Sequence, residues 1–144
     1  MKLFRQIPSI GPIRAALLVA LLQTPHRFRS KRQLWAYSSF AVQTHDSGEY
    51  RYVRGKLQRN RERISVRGLN ENHNKELKNL FKSVAISAST RPGPLRDFYT
   101  ARVESGMRPT MARLTLARKI ASITLTMWKK GASFDPKQLK PQAA

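Results

Sequence analysis

The chain has 144 residues and a formal net charge of +20, because 28 lysines and arginines face only 8 aspartates and glutamates. That length is typical of one domain, and so large a positive excess opposes compaction unless a polyanion neutralises it. We therefore expect a nucleic-acid partner and a cytoplasmic, nucleoid-associated protein. The chain has no cysteine, and its three histidines follow no familiar ligand spacing, so the sequence predicts no metal or other cofactor in this chain.

The N-terminal segment imitates a short signal peptide, because the basic stretch MKLFRQ is followed by an apolar run from Ala15 to Leu22. Gly11, Pro12 and Arg14 interrupt the place where the apolar core of such a peptide begins, and no small-residue cleavage site follows the run. No other run approaches the roughly 18 to 20 apolar residues of a membrane span. We therefore expect neither export nor contact with a membrane.

Residues 7–12, IPSIGP, predict a turn that opens a helix from Ile13 to Gln23. The turn is similar to half of a helix-hairpin-helix element, in which the amides at a helix start bind a phosphate, so Gly11 is a candidate nucleic-acid contact. Ser9 replaces the first glycine of that element, and its Cβ restricts the backbone. An ordinary turn before a core helix is the alternative. Ser30 then predicts the N-cap of a second, short helix.

The segment from Thr44 to Gly68 is the most basic part of the chain. Asp46-Ser47-Gly48 is a turn signal, and the weak alternation that follows it predicts either a small hairpin or an irregular loop. The tyrosines between its cations suit base stacking, although a solvated loop explains the composition equally well. The candidate nucleic-acid-binding cations are Arg51, Arg54, Lys56, Arg59, Arg61, Arg63 and Arg67.

Three helices are predicted in the remainder, over residues 70–89, 95–106 and 111–131, followed by a flexible tail over 132–144. We therefore expect a mainly α fold of about five helices, with a helix-hairpin-helix-like start at 7–23 and a basic loop or hairpin insert. The first helix is expected to expose Leu18, Leu21 and Leu22 and so to favour a homo-oligomer. The helix over 70–89 is expected to pack on Leu114, Ala117, Ala121 and Trp128 of the last helix.

Ser47 is the candidate nucleophile. A serine that attacks a phosphodiester must lose its proton and needs cations around the phosphorus, which Arg51 and Arg54 could supply. His45 and Asp46 are both open as proton acceptors. Standing alone, the segment favours a plain turn, and its chemistry by itself does not select Ser47. The eight carboxylates are dispersed along the chain, whereas two-metal phosphoryl transfer needs several that converge.

Four strings, in order over roughly residues 7–140, resemble the C-terminal half of insertion-sequence-110 family transposases: IGPIRAALLVALLQTPHRF, SKRQLWAY with DSG after it, RGLNENHNKELKNLFKSVA, and LRDFYTARVESGMRPTMARLTLARKIASITLTMWKKGASFD. The resemblance implies a helical C-terminal domain, here 1–131, in which Ser47 matches the position of the attacking serine. It also implies an N-terminal RuvC-type domain with metal-binding Asp and Glu residues, where Mg²⁺ is expected and which is absent here. Some members use a bridge RNA.

Two local departures from the family pattern are Ser9 and the segment 38–42, which replaces Ala-Gly-Leu-aliphatic-Pro. Three functions remain open at this stage. The chain is a truncated transposase whose Ser47 attacks DNA, or a non-catalytic DNA- or RNA-binding remnant or regulator that acts with a full-length transposase. A basic structural protein of ribosomal type fits the charge but leaves the ordered motifs unexplained.

Overall fold

The computed structural model describes residues 2–47, 50–59, 64–70 and 73–139. Over these residues the fold is mainly helical, as the sequence predicts, with four short strands between the second and third helices. The elements are α1 (Pro12–Leu22), α2 (Lys31–Tyr37), β1 (Val42–Ser47), β2 (Tyr50–Val53), β3 (Lys56–Arg59), β4 (Ile64–Leu69), α3 (Lys75–Thr90), α4 (Pro94–Glu104) and α5 (Pro109–Lys130). Short 3₁₀ turns lie at Phe4–Gln6, Pro25–Arg27 and Pro136–Leu139.

Local chemistry sets the helix ends. Helices α1, α4 and α5 each begin with a proline, whose fixed φ suits the first helical turn and whose missing N–H is not needed there. Helix α5 ends at Gly131, which adopts a left-handed conformation with φ of 61°. Helix α3 begins after Asn74, whose side-chain oxygen accepts a hydrogen bond from the Leu77 N–H at 2.9 Å. The predicted start of this helix at Asn70 is wrong, because Asn70 is hydrogen-bonded to the chain before β1.

The core lies between α3 and α5, which form the largest helix–helix contact. The predicted apolar face of α3 is confirmed, with Leu77, Phe81 and Val84 fully buried. On α5 the predicted face is confirmed in part: Ala117 and Ala121 are buried, whereas Leu114 is only partly buried. The buried face also includes Leu116 and Ile120. The half-buried Trp128 packs edge-on against the ring of Phe4, with centroids 5.1 Å apart.

Helix α1 packs against the core, whereas the sequence predicted that its leucines would be exposed. Leu18 and Leu22 are buried, and Leu21 packs partly buried against the core. The guanidinium of Arg14 adds a polar link, because it donates to the Ser83 hydroxyl of α3 at 2.7 Å. These leucines therefore give no support to self-association.

The chain after α5 returns to the core. Phe134 packs partly buried against the core and Leu139 is buried, while residues 140–144, the end of the predicted flexible tail, lie outside the described residues. In the described part of the chain, every helix is too short or too polar to cross a membrane.

Candidate nucleic-acid interface

The basic segment forms an antiparallel ribbon, here the ribbon, made of two strand pairs. Strand β1 pairs with β4 from Val42 opposite Leu69 to Ser47 opposite Ile64. Strand β2 pairs with β3 from Tyr50 opposite Arg59 to Val53 opposite Lys56. Of the two predicted alternatives, a hairpin and an irregular loop, the structure has the hairpin.

We call β2 and β3 the outer strand pair and β1 and β4 the inner strand pair. A two-residue turn connects β2 to β3. Arg54 and Gly55 both have positive φ, at 51° and 72°, which is the backbone pattern of a type I′ hairpin turn. Glycine adopts this conformation freely, whereas arginine adopts it at a cost. The turn therefore presents the exposed Arg54 side chain at the tip of the ribbon.

The outer strands carry exposed apolar and aromatic side chains. Tyr52 is 77% exposed and lies opposite Leu57, which is 57% exposed, and Tyr50 is 60% exposed two residues away on the same face. All of the side chains described in β2 and β3 are exposed, including Lys56. A face of open tyrosines beside cations can stack on bases and contact a phosphate backbone.

Ser47 is the last residue of β1, and the predicted turn at Asp46 and Ser47 is wrong, because Asp46 pairs with Ser65 and Ser47 with Ile64 across the ribbon. The side chains of residues 44–47 and Gly48 lie outside the described part of the chain. The backbone thus places Ser47 at the outer end of the inner strand pair, towards the hairpin that carries Tyr50 and Arg54.

The other predicted cations are distributed along the same ribbon. Arg51 lies in β2 opposite Gln58, Arg59 in β3 opposite Tyr50, and Arg67 in β4 opposite Thr44, but their side chains lie outside the described part. Arg61 and Arg63 lie outside the described residues altogether. The structure therefore places five of the seven cations on strands or on the turn of one ribbon.

A buried hydrogen-bond network holds the base of the ribbon to α2. The Ser39 hydroxyl donates to the Asn70 carbonyl oxygen at 2.6 Å, and the Asn70 side-chain amide donates to the Ala36 carbonyl oxygen at 2.7 Å. Lys78 of α3 also reaches the Ser39 hydroxyl, at 3.3 Å. The chain that enters β1 and the chain that leaves β4 are thus fixed to the same helices.

Asn74 links α3 to the end of α2. Its side-chain amide donates to the Tyr37 hydroxyl at 3.2 Å, and its backbone N–H donates to the Tyr37 carbonyl oxygen at 2.8 Å. The hydrogen bond from Asn74, followed by the hydrogen bond and the charge of Arg27, lowers the pKa of Tyr37, while partial burial opposes the shift. The Arg27 guanidinium lies 4.6 Å from the centre of the Tyr37 ring.

The turn before α1 adopts the backbone that a glycine favours. Ser9, which stands where the related turn has glycine, has a φ of 72°, and its carbonyl oxygen accepts a hydrogen bond from Arg14 at 2.8 Å. Gly11 caps α1, and a Cβ added there would meet no atom within 4 Å, so the approach to its backbone is open. The first turn of a helix also leaves N–H groups free of intrahelical partners.

The surface in front of this turn is concave and basic. A depression of about 440 Å³ lies over residues 7–14 and is also lined by Arg5 and Arg91. Helix-start amides and nearby guanidinium groups favour the same ligand, an oxyanion. The geometry is compatible with the predicted phosphate contact at Gly11 and equally with a plain turn.

Sequence reasoning missed the residues that hold these parts in place. Arg14 hydrogen-bonds the turn and α3, while Ser39, Asn70 and Asn74 fix the ribbon and α3 to α2. The motif RGLN, which contains Asn70, could be recognised only because it resembles the family pattern. An isolated asparagine does not indicate which carbonyl oxygen its side chain will contact. None of the described residues forms a group of three or more histidines and carboxylates that could hold a metal ion.

Comparison with known proteins relates the chain to a family and to a curated protein. The model of the transposase family IS116/IS110/IS902 matches residues 1–100. A curated protein of Streptomyces clavuligerus, the insertion element IS116 uncharacterized 44.8 kDa protein, is 27% identical over 135 residues, which cover 94% of this chain and 31% of that protein. The chain therefore spans less than a third of the length of this relative.

Proposed function

Because this chain belongs to the IS116/IS110/IS902 family of transposases, we propose that it acts in DNA transposition as the part that binds DNA and supplies an attacking serine. The observation that carries the proposal is the ribbon itself. The hairpin with exposed tyrosines and cations follows the strand end at which Ser47 lies. The family resemblance, in which Ser47 matches the position of the attacking serine, supports the proposal.

DNA binding follows from the charge and from the shape of the ribbon. A net charge of +20 gives strong, salt-dependent attraction to a phosphate backbone. A two-stranded antiparallel ribbon is narrow enough to enter a major groove, and exposed rings such as Tyr50 and Tyr52 can stack on unpaired bases. The concave surface at Gly11 offers a second phosphate contact on the helical body.

The proposed chemistry is a transesterification at phosphorus. The Ser47 hydroxyl loses its proton and its oxygen forms a bond to phosphorus, while the bond between phosphorus and one nucleoside oxygen breaks and that oxygen takes up a proton. The product is a phosphodiester between protein and DNA, which keeps the energy of the broken bond for rejoining. Cations on the ribbon stabilise the negative charge of the transition state.

The carboxylates in the described part of the chain form no Mg²⁺ site. They are dispersed in the sequence, and the described ones form no cluster. We therefore propose that a metal-binding acidic domain, as the family resemblance implies, acts from outside these 144 residues. A full-length transposase, a second copy of this chain and a bridge RNA are the corresponding proposed partners.

A second candidate function is a nucleic-acid-binding regulator that attacks nothing. It is favoured by the same dispersal of carboxylates, since the charge and the ribbon suffice for binding but not for metal-assisted strand transfer. The two candidates differ in one product, a covalent link between Ser47 and DNA.

The test is a denaturing gel of the purified chain after incubation with labelled DNA from the ends of its element. A full-length relative, Mg²⁺ and the cognate RNA are added in parallel reactions. We expect a slow, protease-sensitive DNA species that is lost in Ser47→Ala and retained in Ser65→Ala, a matched serine change on the neighbouring strand. An adduct that survives Ser47→Ala contradicts the assignment of the nucleophile. Salt-sensitive binding without any adduct supports the regulator instead.

A further inference from the structure

A small basic pocket lies at the base of the ribbon, between α2 and α5. We call it the Arg118 pocket; it has a volume of about 350 Å³ and is lined by Arg32 and Trp35 of α2, the chain over residues 40–42, and Arg118 of α5. It is separate from the depression at the turn before α1 and from the cations of the ribbon. The proposed chemistry at Ser47 does not use it.

Arg118 is anchored on one side and unpaired on the other. Its Nε donates to the Phe40 carbonyl oxygen at 2.6 Å, so the guanidinium is held in place. Its Nη2 is buried and has no hydrogen-bond partner among the described residues, and burial lowers the pKa of the group. A buried charged donor without an acceptor is costly, and a guanidinium matches the geometry of an oxyanion.

The surroundings of the pocket are positive. Arg32 is exposed on its rim, and none of the described residues that line it is acidic. At Lys119, the next residue of α5, burial and the charges of Lys31 and Arg102 lower the pKa. Cations crowded together without carboxylates create a potential that an anion would relieve.

We propose that the Arg118 pocket binds a phosphate group of the nucleic-acid strand that the ribbon holds. The proposal rests on the proposed function, because the ribbon must first bind the strand. Val42, which lines the pocket, begins β1, and Ser47 ends it five residues later, about 17 Å away along an extended strand. At about 3.4 Å of rise per nucleotide in a duplex strand, this separation corresponds to about five steps. The pocket therefore fixes the register of the strand relative to Ser47.

The first test is a salt titration of DNA binding, read by fluorescence anisotropy of a labelled oligonucleotide. Arg32→Gln removes a charge from the rim, and Arg96→Gln is the matched control, an exposed arginine on α4 away from the pocket. We expect Arg32→Gln to reduce the slope of log affinity against log salt by about 0.7 to 0.9, the value for one phosphate contact, and Arg96→Gln to leave the slope unchanged. Equal slopes for the two variants overturn the proposal.

The second test observes the pocket directly by NMR. The Trp35 indole N–H donates to the Arg118 carbonyl oxygen at 3.0 Å, whereas Trp128 packs against Phe4 and serves as an internal reference. Titration with a 5′-phosphorylated thymidine dinucleotide is expected to shift the Trp35 signal saturably in the wild type. The shift is expected to fall several-fold in Arg32→Gln and in Arg118→Lys, which keeps the charge but loses the planar fork.

The outcomes separate this inference from the proposed function. If the wild type binds DNA while the Trp35 signal does not respond, the inference fails and the proposed function stands. If inorganic phosphate at the same concentrations saturates the Trp35 shift as well as the dinucleotide does, the pocket takes free oxyanions and the assignment to a strand is wrong. If the wild type binds no DNA at low salt, both proposals fail.

Discussion

The Ser39 hydroxyl donates a 2.6 Å hydrogen bond to the Asn70 carbonyl oxygen, and so joins the segment before β1 to the residue that follows β4. Both residues are buried, and Ser39 holds a positive φ of 61° in order to make the contact. The ribbon is thus clamped at its base although its outer strands are exposed. Its orientation on the helical body depends on a few buried polar contacts.

Ser39→Ala is expected to lower the free energy of unfolding by about 0.5 to 1.5 kcal/mol, because it removes the buried hydrogen bond to the Asn70 carbonyl oxygen. Urea unfolding followed by circular dichroism measures the change. Ser133→Ala is the control, since Ser133 is exposed after α5. An Ser39→Ala protein as stable as the control would mean that the hydrogen bond does not hold the base of the ribbon.

Ser9→Gly is expected to stabilise the protein, by about 0.5 to 1 kcal/mol. Glycine relieves the positive φ of 72° at this residue, and the change also removes a buried hydroxyl that has no hydrogen-bond partner among the described residues. The melting temperatures of Ser9→Gly and Ser133→Gly measure the effect. Ser133 is exposed, so a glycine at that position only adds conformational freedom to the unfolded chain. A lower melting temperature for Ser9→Gly than for Ser133→Gly would mean that the backbone at Ser9 is not strained.

The pKa of Tyr37 is expected to rise in Asn74→Asp. The aspartate still accepts the hydrogen bond that caps α3, but it cannot donate to the Tyr37 hydroxyl and adds a negative charge beside the phenolate. Absorbance at alkaline pH follows the phenolate, and Tyr37→Phe identifies the signal. Because the pKa of Tyr37 is lower in the folded state than in the unfolded state, its ionisation stabilises the folded state, and this stabilisation appears as the pH rises through the lowered pKa. An unchanged titration in Asn74→Asp would exclude the side-chain hydrogen bond as the cause.

The sequence predicted the helices because apolar periodicity and punctuation by proline and glycine are local signals. Pro109 and Gly131 bound α5 in the structure as they do in the pattern. The buried face of α5 was predicted only in part: Ala117 and Ala121 are buried, but Leu116 takes the buried position expected of Leu114. Local patterns fix where a helix lies but leave its rotation to tertiary contacts.

The candidate site was predictable only in part. Charge density indicated the ribbon, and two alternatives were left because the alternation around Tyr50 and Tyr52 is short. The turn signal at Asp46 and Ser47 was misleading, since these residues also pair across strands when a partner such as Ser65 is available. Arg118 gave no sequence signal at all, because its unpaired nitrogen depends on burial between α2 and α5.

The tip of the ribbon allows its shape and its charge to be tested separately. Arg54→Asn keeps a residue that tolerates the type I′ turn and removes one charge, so it is expected to reduce the slope of log affinity against log salt by about 0.7 to 0.9 with no loss of stability. Gly55→Val keeps every charge but forces a β-branched residue to a φ of 72°. The added Cβ meets no atom within 4 Å, so any change in DNA binding results from backbone strain in the turn and not from a steric clash.

We expect Gly55→Val to weaken DNA binding at fixed salt several-fold while the salt dependence stays that of the wild type, because the distorted turn misplaces Tyr52 and Leu57 on the outer strands. Anisotropy titrations of both variants at several salt concentrations measure the two effects. If Gly55→Val binds as tightly as the wild type while Arg54→Asn does not, charge alone accounts for binding at the tip. The shape of the ribbon would then have no part in recognition.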